Sequence, residues 1–523
     1  MTLRLTLLFL LLQTIALAQD IDVLHYRFEL ELQDKHDTVT GYTAIQFVHR
    51  SDKKEISFDL AGRQINGKGM KIIWAADQGL ADADRLDVKQ EKDKFFVHLP
   101  AARKGDTTSL LVHYKGIPAD GLIIAKNKFG ERTFFADNWP NRAHHWIPCN
   151  DRPDDKASFA FLVTAPKHYK VVSNGLRVEE KEVNADVRLT HWKENVPQAT
   201  KVMVIGVARF AVKEYLQKPS GVPISAWVYP KDSTKGFYDY GQAPEILQFL
   251  ADYIGPFPYK KLANVQSTTI FGGMENASAI FYAESSVTGK RSEEDLLAHE
   301  IAHQWFGDAV SEKSFAHLWL SEGFATFFTN YYFEKKYGKE KARERWEKAR
   351  DEVVSFALSS VQPVVDSTKN LMSLLNPNSY NKGAWVLHML RNEVGDKNFQ
   401  QIVQTYYQQY RGSNAETGDL QAIAEKISGK ELTSFFEQWL YRPGIPVLQI
   451  STKMQNDEFY LYVEQKGKPY QITLEADLVM ADGEIQRKQF AIKDTNHVFT
   501  VPVKGSSVSF ALDPDVKLLY KLQ

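Results

Sequence analysis

The sequence predicts an α+β protein built from an antiparallel β domain, then a mostly α-helical domain, then a small β-sandwich. Three observations predict this order: apolar residues alternate with polar ones up to about residue 213, recur at helical spacing to about residue 440, and alternate again beyond residue 442. The length of 523 residues leaves room for about three domains of ordinary size. We therefore predict domains at residues 19–213, 214–441 and 442–523.

The first domain is predicted from period-two patterning. A clear run places Tyr26, Phe28, Leu30 and Leu32 at every second position, with charged residues between them. Alternation of this kind is typical of a strand that buries one face. Proline and glycine residues interrupt the runs repeatedly between residues 62 and 118, as the turns of an antiparallel domain require.

The middle domain is predicted from a change to helical spacing. Six segments carry apolar residues at helical intervals, and we predict helices there: residues 245–253, 293–306, 322–337, 340–357, 382–394 and 420–427. Arg442-Pro443-Gly444 ends the helical region. Beyond it the period-two pattern returns, most clearly over residues 472–480, and predicts the β-sandwich.

The N-terminus has the layout of a secretory signal peptide. Arg4 is followed by a predominantly apolar run from Leu5 to Leu12, and Ala16 and Ala18 supply the small residues of a cleavage site before Gln19. The alternative is an uncleaved anchor, but the apolar stretch is shorter than the roughly 20 residues that a bilayer requires. We therefore expect a signal peptide over residues 1–18, export to the periplasm or the exterior, and no stable membrane span in the mature chain.

Charge and cysteine content narrow the classes of partner. The chain carries 64 Lys and Arg against 65 Asp and Glu, a formal net charge of −1. This balance gives no general attraction to nucleic acid, so we expect no nucleic-acid partner. The single cysteine, Cys149, cannot form an internal disulfide, and we expect it to be buried and inert.

The strongest motif is His299-Glu300-Ile301-Ala302-His303. On a helix, residues four apart share a face, so both imidazoles can bind one metal ion, and Glu300 beside them can take a proton from an attacking water. A catalytic zinc needs a third protein ligand, and Glu322, nineteen residues after His303, is the best candidate. The alternative is a surface helix that carries these residues by chance, a coincidence that the position of Glu322 makes rare.

Four motifs in this order resemble the M1 family of gluzincin zinc aminopeptidases. They are the exopeptidase motif Gly272–Asn276, His299–His303 with Glu322 inside Trp319–Ala325, the tyrosine motif Tyr380–Ala384, and the segment Phe435–Gly444. The resemblance implies a thermolysin-like catalytic domain. Many members of the family continue into a large helical domain after the last β domain, and we expect none here because this sequence stops after its third domain. Together with the predicted signal peptide, the resemblance implies a secreted zinc metallo-aminopeptidase that acts on peptides with a free N-terminus.

The resemblance assigns roles to single residues of the metal site. His299, His303 and Glu322 would bind one Zn²⁺ per chain. Glu300 would act as the general base, and Tyr380 would donate a hydrogen bond to the oxyanion.

The resemblance also assigns a substrate-binding segment. Gly272, Gly273, Met274 and Glu275 would bind the peptide. The carboxylate of Glu275 would pair with the substrate's α-ammonium group and so place the first peptide bond at the metal. Glycine at 272 and 273 would permit a close approach of the extended peptide.

The sequence departs from the family's pattern at two positions. Many relatives carry a second amine-binding Glu or Gln in the first domain, where this chain has Trp139, so either Asn138 substitutes or Glu275 acts alone. His317 stands where many relatives have Asp, and we expect it to support the site rather than bind metal. The triplet from Asn276 to Ser278 matches a glycosylation sequon, which we reject because a glycan there would block the cleft.

Two other functions stay open at this point. One is an epoxide-hydrolysing relative of the same fold, and the other is a catalytically inactive binding or scaffold protein. Intact Glu300, Glu322 and Tyr380 argue against the scaffold, which gains nothing from keeping them. The sequence leaves open the preferred N-terminal residue of the substrate and the oligomeric state.

Overall fold

The computed structural model describes residues 20–64, 66–78, 85–216, 221–480, 482–503 and 508–523. The predicted signal peptide, residues 1–18, lies outside the described residues. Strands dominate up to residue 208, helices and a mixed sheet follow, and strands return from residue 447. This order confirms the predicted fold class.

The first region is built from strands of 4 to 12 residues. In chain order they are β1 (Ile21–Glu31), β2 (Val39–His49), β3 (Glu55–Asp59), β4 (Gly69–Asp77), β5 (Asp87–Glu91), β6 (Lys94–His98), β7 (Thr107–Ile117), β8 (Leu122–Lys126), β9 (Arg132–Ala136), β10 (Ala157–Pro166), β11 (Lys170–Ser173), β12 (Leu176–Glu182), β13 (Val187–Gln198) and β14 (Ile205–Ala208).

These strands form a seven-stranded sheet in the order β12-β13-β10-β1-β2-β7-β4 and smaller sheets in the orders β11-β14-β9-β8 and β3-β6-β5. The predicted alternation holds in β1, where Tyr26, Phe28 and Leu30 are buried between more exposed neighbours. Neighbouring strands of the large sheet run antiparallel except β1 and β10, which are parallel. The long chain segment between β1 and β10 makes that parallel pair possible.

The middle region contains a five-stranded sheet in the order β15-β16-β17-β19-β18. Its strands are β15 (Ala211–Glu214), β16 (Ile224–Val228), β17 (Leu262–Ser267), β18 (Gly273–Met274) and β19 (Ala279–Ala283), and a separate parallel pair joins β20 (Val310–Glu312) to β21 (Ser413–Ala415). The helices are α1 (Ser233–Asp239), α2 (Ala243–Ile254), α3 (Glu294–His303), α4 (Trp319–Tyr337), α5 (Lys339–Ser359), α6 (Gly383–Val394), α7 (Asp396–Tyr410), α8 (Thr417–Ser428) and α9 (Thr433–Phe436).

The six predicted helices correspond to α2, α3, α4, α5, α6 and α8. One predicted start was wrong, because α4 begins at Trp319 and places Glu322 inside its first turn. The partial positive charge of a helix N-terminus favours a carboxylate there. The prediction also missed α1, α7 and the short α9. In α7 the buried residues recur at helical spacing, at Phe399, Ile402, Val403, Tyr406 and Tyr407, which is a signal that the sequence carries.

The last region consists of two sheets, in the orders β26-β23-β22-β28 and β25-β24-β27. Their strands are β22 (Val447–Gln455), β23 (Glu458–Lys466), β24 (Ile472–Met480), β25 (Ile485–Ile492), β26 (Asn496–Pro502), β27 (Val508–Leu512) and β28 (Lys521–Leu522). Burial alternates residue by residue along β24, as predicted.

The predicted domain boundaries stay predictions. The boundary between residues 213 and 214 falls inside β15, which pairs with β16 of the five-stranded sheet. In the part of the chain that the structure describes, no helix combines the length and the apolar character needed to cross a membrane.

Candidate active site

Two packed helices bring the predicted metal ligands together. α3 carries His299 and His303 on one face, and Glu322 lies in the first turn of α4 beside it. The two Nε2 atoms are 3.0 Å apart, and each lies 3.2 Å from Glu322 Oε2. The three ligand atoms therefore form a nearly equilateral triangle.

A hydrogen bond behind His303 determines which ring nitrogen faces this triangle. His303 Nδ1 lies 3.0 Å from the carbonyl oxygen of Phe306. Because a carbonyl oxygen only accepts, Nδ1 carries a proton, and Nε2 is the nitrogen that faces Glu322. His303 would therefore bind a metal ion through Nε2, where the ion would take the place of a proton.

The triangle fits a small divalent cation. The circle through the three atoms has a radius of about 1.8 Å, which is shorter than the roughly 2.0–2.2 Å bonds that zinc makes to nitrogen and oxygen, so one ion can contact all three. Two imidazoles and one carboxylate are also the donor set of catalytic zinc sites, which keep one position open.

Negative charge is concentrated around the triangle, where Glu275, Glu300 and Glu322 are all buried. Burial raises the pKa of Glu300 well above its usual value; His303 lowers it in part, and the Glu275 carboxylate raises it again. Burial opposes a charge on His303, but Glu322 and Glu275 outweigh that effect and raise the pKa of His303 to about 10. The carboxylates thus favour a positive charge at the triangle, which a bound metal ion would supply.

Glu300 lies directly against the backbone of Gly273. A Cβ at position 273 would be 2.3 Å from Glu300 Oε1, so only glycine fits, whereas a Cβ at Gly272 would meet no atom nearer than Leu296 Cδ1 at 3.9 Å. The motif predicts that both glycines make room for the peptide. At Gly273 the structure shows a different close approach, to the side chain of Glu300.

β18 places Glu275 and an exposed sheet edge beside the metal ligands. Gly273 and Met274 pair antiparallel with β19, and β18 is the last strand of the five-stranded sheet. Glu275 follows at once and is buried with its carboxylate within 4.8 Å of ligand atoms of Glu300 and His303. An edge strand can add an extended peptide through backbone hydrogen bonds.

Tyr380 reaches the site from the π-helical turn Asn378–Lys382, which leads into α6. Its ring stacks on His299 with a centroid distance of 5.9 Å and an interplanar angle of 17°. Burial, together with the carboxylates of Glu322 and Glu275, holds the pKa of the hydroxyl well above its usual value. Tyr380 is therefore a protonated hydrogen-bond donor.

One cavity of about 270 Å³ contains all nine predicted site residues. They are Gly272, Gly273, Met274, Glu275, His299, Glu300, His303, Glu322 and Tyr380. Trp139, Phe271, Leu296 and Leu375 complete the lining, and only Trp139 of these was singled out from the sequence. The cavity thus combines the polar residues of the predicted site with an apolar lining.

Comparisons with known proteins identify the family. The model of the Peptidase M1 N-terminal domain matches residues 23–202, and the model of the Peptidase family M1 domain matches residues 238–439. Together the two models cover more than half of the chain. The chain belongs to peptidase family M1.

Curated relatives are 25–30% identical to this M1 chain over the aligned residues. Probable aminopeptidase 2 of Sulfurisphaera tokodaii is 30% identical over 356 residues, which are 64% of this chain and 45% of that protein. Leucyl aminopeptidase of Saccharolobus solfataricus is 27% identical over 521 residues, 95% of this chain and 60% of its own length. Glutamyl aminopeptidase of Rattus norvegicus is 27% identical over 488 residues, 86% and 50% of the two chains. The chain therefore spans about half the length of the curated relatives it matches.

A solved structure shares the fold. The crystal structure of a mutant M1 zinc metallopeptidase from Deinococcus radiodurans superposes with a TM-score of 0.69 at 23% identity, covering 80% of this chain and 94% of that one. Membership of family M1 implies a zinc cofactor, and the triangle of His299, His303 and Glu322 is the group that fits it.

The structure shows whether Asn138 can reach a substrate in this M1 chain. Asn138 is fully buried and points away from the cavity: its amide donates to the carbonyl oxygens of Thr200 and Met203, and its oxygen accepts from Trp146 Nε1. Asn138 is therefore not available to a substrate. Trp139 lines the cavity as an apolar wall, and Glu275 lines the same cavity.

His317 lies outside the cavity. Its Nδ1 is 2.9 Å from Thr417 Oγ1, which also accepts a 2.9 Å hydrogen bond from Trp319 Nε1. His317 thus supports the start of α4 and is not among the metal-binding groups.

Cys149 is fully buried, and burial raises the pKa of its thiol well above the usual value, so it is inert as expected. Asn276 is also fully buried, which agrees with rejecting the sequon.

Sequence reasoning missed Gln304, the residue after the His-Glu motif. Its Nε2 donates to the carbonyl oxygen of Glu275 at 2.6 Å, and its Oε1 accepts from the backbone N–H of Ser278 at 2.7 Å. Gln304 thereby fixes the turn that follows Glu275 to the end of α3. Its position beside the motif was the available signal, but nothing local identified its partners.

Proposed function

We propose that this chain is a zinc-dependent aminopeptidase that removes residues one at a time from the free N-terminus of peptides. The observation that carries the proposal is the position of Glu275. A buried carboxylate shares one cavity with the metal ligands, the base and the hydroxyl donor, and it lies at the end of an edge strand. A scaffold protein has no use for this arrangement, and nothing in the cavity favours an epoxide over a peptide.

The substrate would lie extended along β18. Its α-ammonium group would pair with Glu275, which places the first peptide bond over the metal ligands. Backbone pairing with Gly273 and Met274 would hold the chain in register. An anchored amine in a buried site is worth several kcal/mol, so the register depends strongly on Glu275.

The side chains then divide the chemistry. When bound, the zinc ion would polarise the scissile carbonyl and lower the pKa of the attacking water. Glu300, in the same cavity as the metal-binding groups, would accept the proton of that water and pass it to the leaving amine. Tyr380 would donate to the carbonyl oxygen as that oxygen gains negative charge.

The test compares one peptide with its N-acetylated form, analysed by mass spectrometry. The free peptide should yield a ladder of products shortened from the N-terminus, and acetylation should lower kcat/KM at least about tenfold, because it removes the charge that Glu275 pairs with. Glu275→Ala should reduce both the rate and this discrimination. Internal cleavage of the acetylated peptide would identify an endopeptidase instead.

We also propose that the chain is exported to the periplasm or the exterior after cleavage before Gln19. Arg4, the run between Leu5 and Leu12 and the small residues at 16 and 18 support this proposal. Expression in a bacterial host with mass analysis of each fraction tests it. A mature chain beginning at Gln19 outside the cytoplasm is expected, and a full-length chain in the cytoplasm contradicts the proposal.

A further inference from the structure

A buried aspartate connects the first β region to the loop that leads into β18. Asp137 directly follows β9 and is fully buried. Its Oδ2 accepts hydrogen bonds from Thr269 Oγ1 at 2.8 Å and from the backbone N–H of Ile270 at 3.1 Å. Its Oδ1 accepts from Arg142 Nη2 at 2.5 Å. One carboxylate thus binds a second loop of the chain and a guanidinium group at the same time.

Arg142 extends this connection to Trp139 and Phe271. Its Nε donates to the carbonyl oxygen of Trp139 at 2.8 Å, and its guanidinium lies 5.8 Å from the ring centroid of Phe271. Its Nη1 reaches Asp120 Oδ1 at 3.1 Å, so the guanidinium is held on several sides. A planar fork of this kind is well suited to holding several groups in fixed positions.

The two aromatic rings held in this way form one wall of the active-site cavity. Trp139 and Phe271 meet edge to face, with centroids 6.1 Å apart and an interplanar angle of 87°. Trp139 also meets Phe315 edge to face at 6.1 Å. Phe271 immediately precedes the glycine pair, so the position of this wall and the start of β18 are set together.

The wall lies at the amine end of the substrate path. A groove of about 570 Å³ continues from the cavity and shares Leu296, His299, Leu375 and Tyr380 with it, but neither Glu275 nor Trp139 lines that groove. The downstream part of a peptide anchored at Glu275 would therefore leave through the groove. Trp139 and Phe271 are therefore the residues that would contact the first side chain of the peptide.

We propose that Asp137 and Arg142 are positioning residues that hold Trp139 and Phe271 as the binding wall for an apolar first side chain of the substrate. The inference rests on the proposed function. Neither wall residue offers a charged partner, so a charged first side chain would lose hydration there without compensation, whereas an apolar one would gain by burial. The selected substrates are peptides with a free amine and an apolar first residue.

Thr269 offers the sharpest test, because its hydroxyl can be removed with little change of shape. Thr269→Val removes the hydrogen bond to Asp137, and Thr269→Ser keeps it. Thr268→Val is a matched control, since the Thr268 hydroxyl is buried without a hydrogen-bond partner among the described residues. Asp137→Asn, which removes the charge facing Arg142, is the second variant.

Steady-state kinetics would use four peptides that differ only in a leucine, glycine, lysine or aspartate at the first position. Wild type should prefer the leucine peptide over the other three. Thr269→Val and Asp137→Asn should raise KM for the leucine peptide about tenfold, the effect of one lost hydrogen bond to a charged group, with kcat within about twofold. The glycine peptide should change less than about twofold, and Thr269→Ser and Thr268→Val should match wild type.

Three results would overturn the inference: equal losses for the leucine and glycine peptides, a fall in kcat at constant KM, or a wild-type preference for a charged first residue. If Asp137→Asn does not fold, as judged by circular dichroism, the kinetics of Thr269→Val alone test the inference. Failure of the proposed function looks different, because zinc-loaded wild type would then cut none of the peptides.

Discussion

Gly323 of α4 and Gly383 of α6 touch backbone to backbone. A Cβ on Gly323 would lie 2.9 Å from the carbonyl carbon of Gly383, and a Cβ on Gly383 would lie 3.1 Å from the Cα of Gly323. Gly323 follows the predicted metal ligand Glu322, and Gly383 follows the turn that carries Tyr380. The contact between the two glycines therefore sets how closely the ligand and the hydroxyl donor approach each other.

Gly323→Ala should separate α4 from α6. Forcing a methyl group into a close-packed contact costs about 1–3 kcal/mol of unfolding free energy, and we expect lower kcat as Tyr380 moves away from the metal site. Urea unfolding and peptide hydrolysis measure the two effects. Gly418→Ala in α8 is the control, because a Cβ there meets nothing within 4 Å and should leave activity unchanged. If the folded Gly323→Ala variant keeps the wild-type kcat, the contact between the two glycines does not influence catalysis.

Removing the metal should remove activity. A zinc chelator should abolish hydrolysis and added Zn²⁺ should restore it, while His299→Ala and Glu322→Ala should lose bound zinc because each deletes one of three protein ligands. Metal analysis of the purified variants checks this. His317→Ala is the matched control and should keep its zinc, since that imidazole binds Thr417 instead. Full turnover by a metal-free sample would contradict the zinc assignment.

Glu300→Gln should retain zinc and lose about 10²–10⁴-fold in kcat, because an amide of the same shape cannot accept the proton. Metal content and steady-state kinetics are measured on the same preparation. Glu294→Gln, on the same helix, is the control: Glu294 accepts from Tyr332, Lys336 and Tyr337 and does not line the cavity. A Glu300→Gln enzyme with wild-type kcat would exclude Glu300 as the base.

Tyr380→Phe should lower kcat by about 10²–10³-fold and leave KM nearly constant, as expected for a hydrogen bond made mainly in the transition state. The Phe ring can still stack on His299, so zinc binding should persist. Kinetics over a range of substrate concentrations separate the two constants. A change confined to KM would mean that Tyr380 binds the ground state.

The metal ligands could be predicted because their geometry is local. Two histidines four residues apart share a helix face whatever surrounds them, and Glu322 follows at a spacing typical of the motif. Gln304 shows the limit of such reasoning. Its partners, the carbonyl of Glu275 and the amide of Ser278, lie 29 and 26 residues away in sequence, and only the tertiary fold brings them to α3.

The region around Trp139 shows a second limit. The sequence offered Asn138 as a neighbour that could face the substrate, but three buried hydrogen bonds direct its side chain into the first β region. The hydrogen bonds that the buried amide group of Asn138 makes stabilise this orientation more than exposure of the amide to the cavity would. Nothing in the sequence of this turn states which side chain faces the cavity, because that depends on the carbonyls of Thr200 and Met203.

A buried ion pair next to the site gives the last prediction. Lys201 lies in the short helical turn between β13 and β14. Its Nζ is 2.5 Å from Glu312 Oε1 of β20, and both side chains are almost completely buried. Burial lowers the pKa of Lys201, but Glu312 and Glu275 raise it to above its usual value, so the lysine is charged. The pair therefore joins the first β region to the middle region through two desolvated charges.

Lys201→Met should destabilise the protein by about 3–5 kcal/mol, because it leaves Glu312 buried without its cation. The double variant Lys201→Met/Glu312→Leu should recover much of that loss, since replacing both charges leaves no unpaired one. Urea unfolding of wild type, both single variants and the double variant measures the coupling. If the double variant is as unstable as the sum of the single ones, the two residues act independently and the pair does not join the two regions.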